Sequence, residues 1–189
     1  GSGGMALRGK FGDNPMNDDE LEHNPRISRQ ALADLHEGAF GWALSLMAYD
    51  AQAAEDVMQQ AYLALLEGKA RYGGDSSLKT WLYGVIRNMA RRYVRSRTLE
   101  RRRVEQFGNM PKETESASLD SDERSTALVR QAIQALPERQ RQVLELVIDA
   151  ELTLAEAATV LGIGIGSVRT HYHRAKQTLR AQLEQTHAG

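Results

Sequence analysis

Residues 78–95 are the stretch that most narrows the possible folds, because their apolar side chains recur at helical spacing. One stripe of such a helix carries Leu78, Leu82, Val85, Met89 and Tyr93. A second stripe carries Trp81, Gly84, Asn88, Arg91, Arg92 and Arg95. Flat aromatic rings, amides and guanidinium groups stack on bases, read base edges and hold phosphates. The pattern therefore predicts an amphipathic helix whose exposed face is suited to nucleic acid.

Helical periodicity continues along the chain, and strand-like alternation is missing, so we predict an all-α fold. The first domain, residues 28–103, should hold helices that start at the capping residues Ser28, Asp50 and Ser77. Residues 104–124 read as a flexible linker, and residues 125–189 as a second domain of shorter helices. Residues 1–27, with Gly-Ser-Gly-Gly ahead of Met5, are interpreted as a tag and a flexible N-terminus.

Charge is distributed unevenly, although the net charge of the chain is −1. Residues 28–103 carry net +4, the linker region 104–123 carries −5, and residues 124–189 carry +2. Eight arginines lie between residues 87 and 103, with one acid among them. Two basic domains joined by an acidic linker favour a polyanionic partner for each domain.

The second domain contains a helix-turn-helix pattern. Thr153 and Glu156 have the spacing of a capping box, and Gly162 stands where a tight turn needs positive φ. In the helix that follows, Val168, Tyr172, Ala175 and Leu179 form a buried stripe, whereas Ser167, Arg169, Thr170, His173, Arg174 and Gln177 point outward. This arrangement is typical of a recognition helix in the DNA major groove, with a plain helical hairpin as the alternative.

Several site classes are not indicated. The chain has no cysteine, so it has neither disulfides nor thiolate metal ligands, and no apolar run reaches the length of a membrane span. His171 and His173 splay apart on a helix and make a poor metal pair. No arrangement typical of a catalytic site stands out. We therefore expect a cytoplasmic, non-enzymatic protein without metal, cofactor or membrane insertion.

The motifs together resemble the extracytoplasmic-function (ECF) sigma factors, small two-domain specificity subunits of bacterial RNA polymerase in the sigma-70 family. The resemblance covers about residues 32–96 and 126–183. In the first block it rests on residues 54–62, Ala-Glu-Asp-Val-Met-Gln-Gln-Ala-Tyr, and on residues 81–83 and 86–88. In the second block it rests on residues 136–144, Leu-Pro-Glu-Arg-Gln-Arg-Gln-Val-Leu, and on residues 156–175 of the helix-turn-helix.

The resemblance implies a promoter-recognition and promoter-melting role, with sites on three helices. Core polymerase, through its β′ clamp coiled coil, would be bound by Glu55, Asp56, Gln59 and Gln60. The promoter −10 element would be bound by Asp75, Ser76, Lys79, Trp81, Asn88, Arg91, Arg92 and Arg95, with loop 71–77 as the pocket of a flipped base. The −35 element would be bound by Ser167, Arg169, Thr170, His173, Arg174 and Gln177. The resemblance also implies contact with the polymerase β flap and control by an anti-sigma factor.

Two positions depart from the family pattern, and simpler interpretations stay open. Gln60 stands where the family usually has Glu, and Arg92 stands near where many members carry Asp. Trp81 could belong to the core, and Glu55 with Asp56 could be an ordinary solvated face. A stand-alone helix-turn-helix regulator and a sigma-like adaptor without DNA binding are the competing functions.

Overall fold

The computed structural model describes residues 23–24, 26–105 and 129–187, and within these ranges the regular structure is helical throughout. Residues 129–134 are helical as well. The remaining helices are α1 (Arg29–Leu46), α2 (Ala51–Leu66), α3 (Leu78–Glu105), α4 (Glu138–Ile148), α5 (Leu154–Leu161) and α6 (Ile165–His187). The predicted all-α fold is confirmed. No helix in the described ranges is long and apolar enough to cross a membrane.

The helix starts follow from local capping chemistry. Ser28, Asp50 and Ser77 each accept a hydrogen bond from the backbone N–H three residues later, at 3.0–3.1 Å. These bonds satisfy amides that have no partner within the first turn of a helix. The three predicted starts are confirmed.

In the first domain, α1, α2 and α3 pack against one another around a shared core. Val57 and Ala61 of α2 and Leu82 of α3 are fully buried in it. Trp42 of α1 stacks on Tyr83 of α3 with ring centroids 6.2 Å apart, and its indole Nε1 donates to the Tyr83 carbonyl at 3.2 Å. This packing fixes the orientation of α3 in the domain and therefore which of its faces points outward.

The first domain begins earlier than residue 28, the predicted boundary. Asn24 is 2% exposed and Ile27 is 4% exposed. Asn24 bonds to the backbone around residues 65–72, so the chain before α1 packs on the domain instead of fraying. The flexible segment predicted for residues 1–27 therefore does not include this part; most of the remainder lies outside the described residues.

The second domain is organised around the turn between α5 and α6. The predicted capping box is present: Glu156 N–H donates to Thr153 Oγ1 at 3.2 Å, and Thr153 N–H donates to Glu156 Oε2 at 2.8 Å. The Thr153 N–H and hydroxyl both donate to the Glu156 carboxylate and lower its pKa. Gly162 has φ +63°, which lets the chain turn sharply into α6. Val168 and Ala175 are fully buried and fix the rotation of α6.

The two domains pack on each other, α3 against α5 and α1 against α4. Thr80, Tyr83 and Arg87 of α3 are buried, each at most 5% exposed. Across the interface, the Ser45 hydroxyl donates to the carboxyl group of Glu145. Most of the predicted linker, residues 104–124, lies outside the described residues, and its first two residues continue α3.

Candidate nucleic-acid interface

The outer face of α3 is a basic surface. Asn88, Arg91, Arg92 and Arg95 are all exposed on it. Arg97 lies 5.7 Å over the ring of Tyr93, a cation–π contact that anchors one guanidinium near the middle of the helix. Guanidinium groups in a row on a long helix can track successive phosphates of a nucleic-acid backbone.

An open cavity of about 450 Å³ lies between α2 and α3 beside this surface. Trp81, Asn88 and Arg92 line it from α3, and Gln60 lines it from α2. An indole face, two amides and a guanidinium group in one recess can stack and hydrogen-bond a planar polar ring. The cavity joins predicted −10 residues to one predicted polymerase contact.

Trp81 is packed against the domain and also borders the cavity. It is half-buried, and its ring packs against Tyr72 at 5.3 Å between centroids with a tilt of 49°. The residue also lines the cavity. Trp81 therefore supports the loop before α3 and still offers a surface for stacking.

That loop, residues 68–77, has a defined shape. Gly68 and Gly74 have φ of +67° and +86°, conformations that L side chains rarely adopt. The Tyr72 hydroxyl donates to the Ser76 carbonyl at 2.6 Å. Asp75 is exposed and Ser76 is half-buried, so both predicted loop residues lie at or near the surface.

Lys79 occupies a different place from the other predicted −10 residues. Its ammonium group donates to the Ala150 carbonyl of the second domain and lies 5.9 Å from the ring centroid of Tyr83. With both domains packed, this side chain is part of the domain interface and is separate from the basic face of α3.

The acidic and amide residues of α2 lie near the middle of the helix. Asp56 is half-buried and accepts from Gln52 Nε2 at 3.3 Å and from the Tyr93 hydroxyl at 3.4 Å. Burial, more than the nearby charges, raises the pKa of Tyr93. Glu55 is half-buried, whereas Gln59 is exposed. This surface is acidic and polar, as a partner helix with basic residues would require.

The recognition helix α6 presents its predicted residues outward. The exposed side chains are those of Ser167, Arg169, Thr170, His173, Arg174 and Gln177. Thr170 Oγ1 donates to the Gly166 carbonyl at 3.1 Å, which orients its methyl group. The geometry suits insertion of the N-terminal half of α6 into a major groove. Among the described residues, no three His, Cys, Asp or Glu side chains form a group that could hold a metal ion.

The sequence pattern did not reveal the domain interface. Glu145 is 4% exposed there, and burial raises the pKa of its carboxyl group to about 7 despite the bond from Ser45 and the charge of Arg141. Burial, followed by the nearby Arg139 and Arg91, lowers the pKa of Arg87. One signal was present: Thr80, Tyr83, Arg87 and Ala90 also recur at helical spacing, which marks a second buried stripe on α3.

Comparison with known proteins connects both surfaces to one family. The model of Sigma-70 region 2 matches residues 33–100, and the model of Sigma-70 region 4 matches residues 126–179. The RNA polymerase sigma-H factor of Pseudomonas aeruginosa is 31% identical over 147 residues, which cover 72% of this chain and 76% of that protein. The ECF RNA polymerase sigma factor EcfG of Rhodopseudomonas palustris is 30% identical over 143 residues, covering 75% and 77%.

Solved structures share the fold. The sigma factor RpoE in complex with the anti-sigma factor NepR, from Bartonella quintana, matches 82% of this chain and 96% of its own, with a TM-score of 0.64 and 23% identity. CnrH in complex with the cytosolic domain of CnrY matches 88% and 94%, with a TM-score of 0.62 and 21% identity.

Proposed function

The chain belongs to the sigma-70 family of RNA polymerase sigma factors, in its ECF group, and from this premise we propose how its surfaces act in transcription initiation. The protein binds core RNA polymerase and gives it promoter choice through −10 and −35 contacts. It catalyses no reaction itself and acts in the cytoplasm, where the polymerase is. The proposal rests on two exposed surfaces that are suited to DNA. One lies on α3, within the match to Sigma-70 region 2, and the other lies on α6, within the match to Sigma-70 region 4.

Core polymerase is bound by the α2 surface. Glu55, Asp56, Gln59 and Gln60 lie within two turns of one helix, so a single partner helix can reach them. The Tyr93 hydroxyl makes only a long contact, 3.4 Å, with the Asp56 carboxylate, which can therefore turn to the partner helix. Gln60 contributes an amide in place of a charge, and it borders the cavity. The β flap holds the second domain.

The −10 element is bound by α3 and the loop before it. Arg91, Arg92 and Arg95 hold the backbone of the separated strand, because they are exposed, adjacent and cationic. A base turned out of the duplex enters the recess at Trp81 and Asn88, where stacking and base-edge hydrogen bonds offset the cost of unstacking. Asp75 and Ser76 do not line this recess, and from the loop they contact the DNA beside it.

The −35 element is bound by α6 in the major groove. Arg169, His173 and Arg174 supply hydrogen-bond donors for phosphates or for guanine edges, and Thr170 offers a methyl group and a hydroxyl. A stand-alone helix-turn-helix regulator would need only this surface. Such a regulator would not explain why residues 33–100 match Sigma-70 region 2.

Regulation by an anti-sigma factor is proposed by analogy. Both solved relatives are complexes, one with the anti-sigma factor NepR and one with the cytosolic domain of CnrY. An equivalent partner here would cover the polymerase-binding face of α2 and so prevent assembly of the holoenzyme.

The proposal is tested by run-off transcription with core polymerase and a promoter selected from a randomised library. We expect the chain to bind core and to support transcripts from the selected promoter. Substitution of Glu55 and Asp56 by alanine should weaken core binding and leave −35 binding by the second domain unchanged. Absence of core binding even at low salt would reject the proposal.

A further inference from the structure

A short segment before α1 contacts the loop 68–77 at its start, middle and tip. We call this segment the strap; it consists of His23, Asn24, Arg26 and Ile27. The strap precedes α1, whereas the loop lies between α2 and α3. These contacts join parts of the chain separated by more than 40 residues. They fasten a loop that has no regular secondary structure of its own.

The middle contact uses both donors and the oxygen of a buried amide, which makes three hydrogen bonds. Asn24 Nδ2 donates to the carbonyls of Leu65, at 2.8 Å, and Ala70, at 3.0 Å. Asn24 Oδ1 accepts from the Tyr72 N–H at 2.8 Å. The side chain is 2% exposed, so water is a poor substitute for these bonds. One side chain thus joins the end of α2 to the centre of the loop.

The outer contacts act at glycines. Arg26 donates from Nη1 to the Gly73 carbonyl, and a Cβ on Gly74 would lie 2.5 Å from the same nitrogen. A Cβ on Gly68 would lie 2.6 Å from the His23 ring. The strap therefore packs closely against the loop backbone at both ends, where positive φ already favours glycine.

The effect of the strap extends to the cavity through Tyr72. Asn24 fixes the backbone of this residue, the Tyr72 hydroxyl fixes Ser76, and the Tyr72 ring supports Trp81. Displacing the loop would move the Tyr72 ring and, with it, the Trp81 indole that lines the cavity. Binding sites on loops need such support to keep a productive geometry.

We propose that Asn24 is a positioning residue for −10 recognition, and that Arg26 assists it at the loop tip. Asn24 contacts no DNA; it holds loop 68–77 in the shape that receives the base before DNA arrives. The inference rests on the proposed promoter function. It adds that base selectivity depends on a segment outside the three helices of the first domain.

The test compares Asn24→Asp, Arg26→Met and the control Gln30→Ala in holoenzyme with core polymerase. Asp has nearly the shape of Asn but cannot donate to the two carbonyls. Arg26→Met removes one exposed donor and leaves the core intact. Within the part of the chain that the structure describes, Gln30 bonds to Asp34 on its own helix, at 2.7 Å, so its loss removes an amide without touching the loop.

The decisive quantity is the ratio of affinities for a selected −10 strand and for the same strand with the flipped base exchanged. We expect Asn24→Asp to reduce this ratio by about tenfold, the size of one base-edge contact, and Arg26→Met to reduce it less. Core binding should stay within about twofold, because the α2 surface is untouched. Gln30→Ala should leave the ratio and core binding unchanged.

A spectroscopic measurement separates loop position from fold stability. In a Trp42→Phe background Trp81 is the only tryptophan, and we expect Asn24→Asp and Arg26→Met to shift its emission in the folded protein. An unchanged ratio in both variants, or a ratio that falls only in proportion to core binding, would overturn the inference. If Asn24→Asp does not fold, Arg26→Met decides.

Failure of the underlying function is distinguishable. If the wild-type chain neither binds core nor initiates transcription, the proposed function is wrong whatever the variants do. The Trp81 emission then still shows whether the strap holds the loop.

Discussion

Protonation of Glu145 is predicted to control how tightly the two domains pack. Its carboxyl group lies in the domain interface, where burial raises the pKa from 4.5 to about 7. Once the domains separate, water reaches the group and its pKa returns toward 4.5. Closing of the domain interface is therefore accompanied by protonation of Glu145 when the pH lies between 4.5 and about 7.

The direction and the size of the pH effect on domain closure follow from this pKa shift. A carboxyl group with a raised pKa in the closed state favours closure at low pH, and this advantage is lost as the pH rises from 4.5 to about 7. Each pKa unit corresponds to about 1.4 kcal/mol, so the closed state loses at most about 3.5 kcal/mol across this range. Above pH 7 no further loss arises from Glu145.

The assay is energy transfer between dyes on the two domains. Because the chain has no cysteine, Glu37→Cys and Ala181→Cys supply unique, exposed labelling positions. We expect transfer efficiency to fall as the pH rises from 5 toward 8. Glu145→Gln, which stays neutral, should keep the domains closed and remove most of this dependence. The exposed control Glu184→Gln should behave like the wild type.

Two results would exclude control of domain closure by Glu145. Transfer that is independent of pH in the wild type would mean that the carboxyl group does not gain water when the domains move. An equal slope in Glu145→Gln would assign the titration to another group.

Three further changes test the surfaces themselves. Gly84→Ala adds a Cβ that meets nothing within 4 Å, so the free energy of unfolding in urea should rise by about 0.5–1 kcal/mol. Transcription should nevertheless fall, because polymerase or DNA approaches the helix at this position. Full activity of the variant would exclude that approach. Arg91→Ala combined with Arg92→Ala should reduce the slope of log affinity for −10 DNA against log salt by roughly 2, and an unchanged slope would remove both phosphate contacts. Arg174→Ala should change −35 preference at the contacted base pair by about 1–3 kcal/mol in a selection experiment, and an unaltered preference would show that this side chain reads no base.

Features with local causes could be predicted from the sequence. Helix starts at Ser28, Asp50 and Ser77 depend on a side chain and an amide three residues apart. The turn at Gly162 depends on the φ preference of one residue. The outward direction of the α6 residues follows from the buried stripe at Val168 and Ala175, because a helix with one fixed face has its opposite face fixed as well.

Features with distant causes could not be predicted. Asn24 bonds to backbone groups 41–48 residues away, and nothing in the pattern of residues 1–27 marks it as buried. Ser45 and Glu145 are 100 residues apart, and their contact depends on how the domains pack. Lys79 has the charge and position of a DNA contact, yet the carbonyl of Ala150 engages it. Hydrophobic periodicity indicates which face of a helix is buried, but it does not indicate which other element covers that face.

As a sigma factor, this chain is expected to open the −10 element only together with core polymerase. Fluorescence of 2-aminopurine placed in the −10 element of a selected promoter measures this opening directly. We predict an increase when the chain and core are both present, and none with either alone. A tight duplex complex formed by the chain without core, with no increase when core is added, would contradict the claim and identify a stand-alone regulator.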